Sequence, residues 1–377
     1  MNKGAQLMLI ETVRQLGKRI PDAGFCAPMP FRRRAADLPR FRALGMGVIP
    51  FLSKWKFRAE IPGVFLSVLS GKDVMHTRRK VALIADISGY ALSDKWGILP
   101  AKRLGKAAKA VISRGGQLLL LPQALGPFED EKVRRACLRV FEQAGLIMPR
   151  DAVSEAALRA LFPQSDKIRP YPDFTALAEA VHDPAYSSYA GGFCIVPNCR
   201  MLDKVPPAEA AHYLGFLQQS IAAAQALACR PFFLIHEGEG DRRIAEQLNA
   251  GLAQPLDIVA HSDPRVLKGV LGQSYAVVSS RYHAVIGALS QGVPCLSTSW
   301  SHKYEALAEA YGCPELVLRS FADETLNRDA LRRISDSDSN KAYRQQLLPR
   351  ADAVKQQAVQ MWDEAARWIL DSLKQKN

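Results

Sequence analysis

The sequence predicts an α/β protein built from two Rossmann-like domains facing a cleft, with a C-terminal closing helix. Three observations predict it. Short, nearly continuous apolar runs alternate with amphipathic helical stretches, the pattern of parallel strands covered on both faces. The alternation runs twice, interrupted by a loop-rich zone from Gln164 to Gly192. The chain has 377 residues, room for two or three domains. The expected division is residues 1–175, residues 176–340 and a last helix over residues 341–377.

Each element follows from its local pattern. An amphipathic helix opens the chain (MNKGAQLMLIETVRQLGKRIPDAG), and a first strand is expected upstream of it. In the first half the strands are Val81–Asp86, Gln117–Pro122 and Gly145–Met148, with helices Ala101–Ser113 and Glu131–Ala144 between them. In the second half strand Phe193–Pro197 leads into helix Pro207–Ala228, whose early proline lacks only an N–H that would be unpaired anyway. Strand Pro231–Ile235, helix Asp241–Gly251, strand Leu256–Ala260 and helix Asp263–Leu271 follow. Then come strand Ala276–Ser279, helix Tyr282–Gln291, strand Cys295–Ser299 and helix Tyr304–Tyr311. The last amphipathic helix runs from Asn340 to Lys374.

Composition narrows the class. Apolar residues make up 48% and charged residues 23%, which excludes disordered, collagenous and low-complexity chains. Seven cysteines, none spaced C-x-x-C, argue against a disulfide framework or a zinc ribbon and fit reduced thiols in a cytoplasmic setting. No apolar run has the character of a signal peptide or a lipid span. The net charge of +13 is concentrated: residues 1–80 hold 16 Lys and Arg against 5 Asp and Glu. The basic segment over residues 30–80 interleaves Arg32, Arg33, Arg34, Lys54, Lys56 and Arg58 with Phe31, Phe51, Trp55 and Phe57. It reads either as a solvated face or as a surface for an anionic membrane or for phosphates.

In folds of this class ligands sit beyond the C-terminal ends of the strands. The richest edge is Tyr275–Gly312. Arg281 and His283 follow one strand, and Trp300, His302 and Lys303 follow the next. Two helix N-termini there favour an anion. Arg281 and Lys303 add charge, and His283 supplies a group that exchanges protons near neutrality. The competing reading of His283 is a satisfied core histidine. His236-Glu237-Gly238-Glu239-Gly240-Asp241 has metal-capable atoms without H-E-x-x-H spacing, and a polar turn is the simpler reading; no metal is expected. No G-x-x-x-x-G-K-[ST] loop and no G-x-S-x-G elbow occur, which argues against a P-loop ATPase and a standard α/β-hydrolase.

Ser280-Arg281-Tyr282-His283-Ala284, Gly292-Val293-Pro294 and Trp300-Ser301-His302-Lys303-Tyr304 resemble the C-terminal signature of the polysaccharide pyruvyl transferases. Asn2-Lys3-Gly4-Ala5, Asp86–Tyr90 with Ser93–Gly97, Pro122–Phe128, Arg150-Asp151-x-x-Ser154, Pro172–Phe174 and Val196–Asn198 resemble further turns of that family. The resemblance implies a GT-B-like fold, phosphoenolpyruvate as donor and co-substrate with no other cofactor, and a sugar or lipid-linked glycan of an exopolysaccharide precursor as acceptor. His283 would then be the general acid or base, and Asp94 would orient or deprotonate an acceptor hydroxyl. Arg281, Arg150 and Lys303 would hold phosphate and carboxylate, with Asn198, Arg200 and Trp300 also facing ligand. Plain structural readings stand beside these: Arg150-Asp151 as an ion pair and helix cap, Asp94 as an N-cap, Arg200 as a surface charge.

Two other functions compete. One is a GT-B-type glycosyltransferase with a nucleotide-sugar donor, for which Glu305 is a candidate ribose contact. The other treats the basic N-terminal eighty residues as a docking surface. Nucleic acid, which would bring a steep salt slope, is not expected as a partner. A cytoplasmic enzyme resting peripherally on the inner face of a membrane is expected.

Overall fold

The structure is a computed structural model and describes residues 2–30, 43–51, 63–67, 81–227, 229–298 and 303–374. Most of the basic segment over residues 30–80 therefore lies outside the described residues. The chain forms two compact units. One comprises Met8–Phe174 and Gln357–Asn377, the other Met1–Leu7 and Thr175–Gln356. Each unit is thus assembled from two stretches, whereas the sequence reading assigned residues 1–175 whole to the first and set residues 341–377 apart.

The Met8–Phe174 unit carries most of helix α1 (Lys3–Arg19), strands β1 (Gly24–Pro30), β2 (Met46–Phe51), β3 (Gly63–Ser67) and β4 (Leu83–Asp86), and helix α2 (Ile98–Ile112). Strand β5 (Gln117–Gln123), helix α3 (Glu131–Gln143), strand β6 (Leu146–Pro149) and helix α4 (Ala152–Leu161) complete its first stretch. The sheet order is β2-β1-β3-β4-β5-β6. Strands β4, β5 and β6 run parallel, with Leu83 opposite Gln117 and Leu119 opposite Leu146. Strand β3 runs antiparallel to both neighbours, with Gly63 opposite Asp86, so this sheet is mixed and not wholly parallel. Every residue of β4 and β6 is buried, which explains their unbroken apolar sequences. Leu118, Leu120 and Ile147 meet Leu104, Ala108, Val140 and Phe141 of the covering helices. Asp130 and Asp151 cap α3 and α4 through backbone N–H groups of Lys132, Val133 and Ser154, each cap contributing about 1 kcal/mol.

The Thr175–Gln356 unit holds strands β7 (Phe193–Val196), β8 (Pro231–Leu234), β9 (Ile258–Val259), β10 (Ala276–Ser279), β11 (Cys295–Thr298) and β12 (Val317–Leu318). Its helices are α5 (Pro207–Ala226), α6 (Gly238–Asn249), α7 (Pro264–Gln273), α8 (Tyr282–Leu289), α9 (Lys303–Ala310) and α10 (Glu324–Ser335). The order is β12-β11-β10-β7-β8-β9, every pair parallel. The reversal of strand order beside β7 is where a doubly wound sheet takes its ligand. One buried cluster, including Phe193, Ile195, Phe232, Phe233, Val277, Val278 and Leu296, forms the core. Lys268 is buried, and its ammonium donates to the carbonyls of Thr175, Ala176 and Ala178 at 3.0, 3.0 and 2.6 Å, which satisfies the charge. The final helix α11 (Ser337–Lys374) gives its first turns to this unit and the remainder to the other.

Candidate active site

In the Thr175–Gln356 unit all strands are parallel, so the residues that leave β7, β8, β10 and β11 do so at one edge. Asn198, His236, Ser280 and Arg281 emerge there. Ser280 is the hub of a buried polar network. Its carbonyl accepts from Asn198 Nδ2 at 2.6 Å and Tyr304 Oη at 2.9 Å. Its hydroxyl accepts from Thr298 Oγ1 at 2.6 Å and lies 2.8 Å from Tyr213 Oη. The Tyr213 hydroxyl also accepts from Asn198 N–H. Strands β7, β10 and β11 and helices α5 and α9 thus converge on the turn that launches Arg281 and His283. Such a network, low in dielectric and fully bonded, fixes geometry.

Arg281 is buried and committed to protein carboxylates. Its Nε reaches Asp241 Oδ2 at 2.8 Å, its Nη2 reaches Asp241 Oδ1 at 2.5 Å, and its Nη1 pairs with Glu237. Asp241 is fully buried and also accepts from Cys199 N–H at 3.0 Å. Burial pushes the Asp241 carboxyl up, while the guanidinium and the Cys199 N–H act against that rise. Arg281 therefore ties the β10 turn to helix α6, and its charge is taken up by these two carboxylates.

The first turn of α1 belongs to this same unit and meets His283. Asn2 caps it, accepting from Gly4 N–H at 2.8 Å and Ala5 N–H at 3.2 Å, and Lys3 Nζ donates to the Ser262 carbonyl at 2.6 Å. The imidazole of His283 presses its Nδ1 side against Gly4: a Cβ there would sit 2.6 Å from Cγ, 2.7 Å from Cε1 and closer still to Nδ1. The ring also meets Tyr282 edge-on, centroids 5.4 Å apart. Lys303 is buried with its ammonium 5.3 Å from the Tyr282 ring centre and 5.4 Å from that of Tyr304. His236 is buried next to this group. Burial first, then the charges of His283, Arg281 and Lys3, hold its imidazole well below the ordinary histidine range, so it is neutral at pH 7.

The other expected residues fall as follows. Asn198 belongs to the Ser280 network. Arg200 forms an exposed pair with Asp203 at 2.6 Å. Trp300 and His302 lie outside the described residues. Glu305 pairs with Arg319 at 3.2 Å. In the Met8–Phe174 unit, Arg150 makes a buried pair with Asp173, Nη1 to Oδ2 at 3.0 Å. Asp94 accepts three backbone N–H bonds, from Phe128 at 2.7 Å, Glu129 at 3.1 Å and Asp130 at 3.2 Å. That clamp holds Phe128, whose φ of 71° is unfavourable for a non-glycine residue. Both carboxylate oxygens of Asp94 are thereby occupied in loop holding, the structural alternative to acceptor activation. Sequence reasoning named His236 and Asp241 only as parts of a polar turn, and Lys3 and Gly4 only as parts of a family-like turn, and gave none of them a role at this site. The signal for His236 was its place directly after the apolar run PFFLI, at the same sheet edge as Arg281.

Solved structures share the fold at low identity. A Listeria monocytogenes protein assigned as a UDP-N-acetylglucosamine 2-epimerase matches with a TM-score of 0.58 at 12% identity, over 90% of this chain and 88% of that one. Anabaena HepE in complex with UDP-glucose matches with a TM-score of 0.57 at 13% identity, over 99% and 97%. An α,α-trehalose 6-phosphate synthase from Burkholderia multivorans matches with a TM-score of 0.51 at 11% identity, over 93% and 98%. These likenesses give the fold, two Rossmann-like units of the GT-B class. No curated protein matches the chain. The family model for polysaccharide pyruvyl transferase matches residues 2–302, and its span takes in both the α1 turn that seats His283 and the strand edge that carries Arg281. The chain belongs to the polysaccharide pyruvyl transferase family.

Proposed function

We propose that this protein transfers the enolpyruvyl carbons of phosphoenolpyruvate to two hydroxyls of a sugar in a polysaccharide precursor, forming a pyruvate ketal and releasing phosphate. The observation that carries this reading is the gathering of the ammonium groups of Lys3 and Lys303 with His283, beside neutral His236, at one strand edge of a chain in this family. A donor with a carboxylate and a phosphate needs concentrated positive charge, and a water-poor edge strengthens that attraction.

The chemistry closes on these residues. A proton delivered by His283 to the methylene carbon turns it into a methyl group and leaves oxocarbenium character at C2. One sugar hydroxyl adds to C2 and returns its proton to the imidazole. The C2–O bond to phosphate then breaks, and inorganic phosphate departs with the electron pair. The second hydroxyl closes the ring at C2, and its proton leaves with the phosphate. Lys303 and Lys3 supply charge for the donor. Arg281, whose charge is neutralised by Asp241 and Glu237, acts by fixing the turn that bears His283. Asp94 and Arg150 are assigned holding roles, because their polar atoms serve the fold.

The test is incubation of the full chain with phosphoenolpyruvate and a panel of lipid-linked and polymeric glycans, following phosphate release and the mass gain of a ketal. His283→Ala is expected to lower turnover by about 10²–10⁴-fold with the fold intact by circular dichroism. Near-normal turnover in that variant would falsify the catalytic assignment. Turnover of a nucleotide sugar in place of phosphoenolpyruvate would establish the glycosyltransferase reading instead, the reading for which Glu305 is less suited while it pairs with Arg319.

A further inference from the structure

Helix α2 carries a face that pyruvyl transfer does not use. From Lys95 to Phe128 the sequence has no Asp or Glu and six basic residues: Lys95, Lys102, Arg103, Lys106, Lys109 and Arg114. Steps of three and four residues place Leu99, Lys102, Lys106 and Lys109 on one helical stripe, and all four are exposed. The opposite stripe, Ala101, Leu104, Ala108 and Val111, is buried. Among the described residues no carboxylate pairs with Lys102, Arg103, Lys106 or Lys109. The adjoining α3 extends the charge: Arg134 and Arg135 share one carboxylate, Glu131, and Arg139 is exposed. Over residues 95–143, ten Lys and Arg stand against four Asp and Glu.

The N-terminal end of that stripe is apolar. Trp96 and Leu99 are each 51% exposed. Trp96 closes the single turn Asp94–Trp96, which the three N–H bonds of the Asp94 clamp hold to the loop at Phe128–Asp130. An indole and a leucine are thus kept in solvent at the head of a row of lysines. A scattered apolar residue on a surface is ordinary; an aromatic and a leucine joined to a cationic stripe form the pattern of an interfacial helix.

We propose that Trp96 and Leu99 with the Lys102–Lys106–Lys109 stripe form a docking surface for an anionic lipid membrane. The indole and the leucine enter the headgroup layer, where aromatic side chains are favoured, and the ammonium groups lie against lipid phosphates. Charge complementarity sets the sign of the partner. The apolar pair selects lipid over nucleic acid, because a phosphate backbone gives Leu99 no hydrocarbon to enter. No helix among the described residues is long and apolar enough to cross a membrane, so this surface would provide contact without a span. The inference does not depend on the pyruvyl-transfer reading.

The experiment is co-sedimentation of the full chain with vesicles of phosphatidylcholine alone and of phosphatidylcholine mixed with phosphatidylglycerol. Two variants are compared with the wild type: Lys102→Gln with Lys106→Gln and Lys109→Gln, and Trp96→Ser with Leu99→Ser. All substituted side chains are exposed, and circular dichroism checks the fold. The wild type is expected on the anionic vesicles only. The triple variant is expected to bind about 100-fold more weakly, each lysine near the surface being worth about fivefold. The double variant, unchanged in charge, is expected to bind at least about tenfold more weakly. The proposal is overturned if the wild type stays in the supernatant or if the triple variant sediments like the wild type. It is also overturned if the double variant binds normally while double-stranded DNA displaces the wild type from the vesicles, the mark of a general polyanion surface.

Discussion

Gly4 has an ordinary helical backbone, so its lack of a side chain is explained by what lies against it, the imidazole of His283. Gly4→Ala gains helix propensity but drives a Cβ into the imidazole, so stability is expected to fall by about 1–3 kcal/mol. Activity is expected to fall by about 10²-fold, because a displaced imidazole no longer meets the reacting carbon. The check is turnover beside thermal unfolding; a variant as active as the wild type would remove the ring-seating role from Gly4. His236 allows a second expectation at this scale. Its folded value is depressed, so the unfolded chain binds more protons once the pH drops below about 6.5. Stability is therefore present above that range and is lost on acidification through it. The loss approaches about 1.4 kcal/mol per pH unit while the folded imidazole stays neutral. Urea unfolding at neutral and mildly acidic pH reads it, and His236→Gln is expected to flatten that part of the profile. Equal slopes in both proteins would assign the acid sensitivity elsewhere.

Among the elements, the turn Asp94–Trp96 shows contacts that were not legible in the sequence. Asp94 is attractive as a base when only side chains are compared. Its partners are backbone N–H groups of Phe128, Glu129 and Asp130, which carry no signature in the sequence. Asp94→Asn is expected to keep turnover within about threefold while lowering stability by about 1–2 kcal/mol through weakened charge-assisted bonds. Measured kcat, with a urea midpoint, separates this from a catalytic role, which predicts a much larger loss of rate. Other elements were plain to read. Strand Ala276–Ser279 is buried at every position and opens on the apolar run Ala276-Val277-Val278, and helix α3 buries Val133, Ala136, Val140 and Phe141 at helical spacing. Strands β1 and β2 were not legible, because Pro28, Pro30 and Pro50 argue against strand and the pairing partners are remote in sequence. The same remoteness hid the Arg281–Asp241 pair: both residues were noted, one as an anion grip and one in a polar turn, and only the fold sets them 2.5 Å apart.

At the scale of the whole molecule, the alternation of strand and helix disclosed two α/β halves. It could not disclose that each half borrows from the far end of the chain. The borrowed pieces are small and consequential. Residues 1–7 bring Gly4 to His283, across 279 positions of sequence. Residues 357–374 bring Trp362 edge-on to Phe174 at 4.9 Å and Trp368 against Gly145, where a Cβ would lie 3.2 Å from Cη2 and nearer to Cζ2. This arrangement sets a schedule during synthesis. The strands from β1 to β6 leave the ribosome early, yet the tryptophans that cover Phe174 and Gly145 are translated only after the whole Thr175–Gln356 stretch. The half that begins first must wait, with apolar surface uncovered, until the other half has been made in full. A nascent chain of this kind offers chaperones a long window of engagement, and a stop codon just before residue 357 would leave that window permanently open.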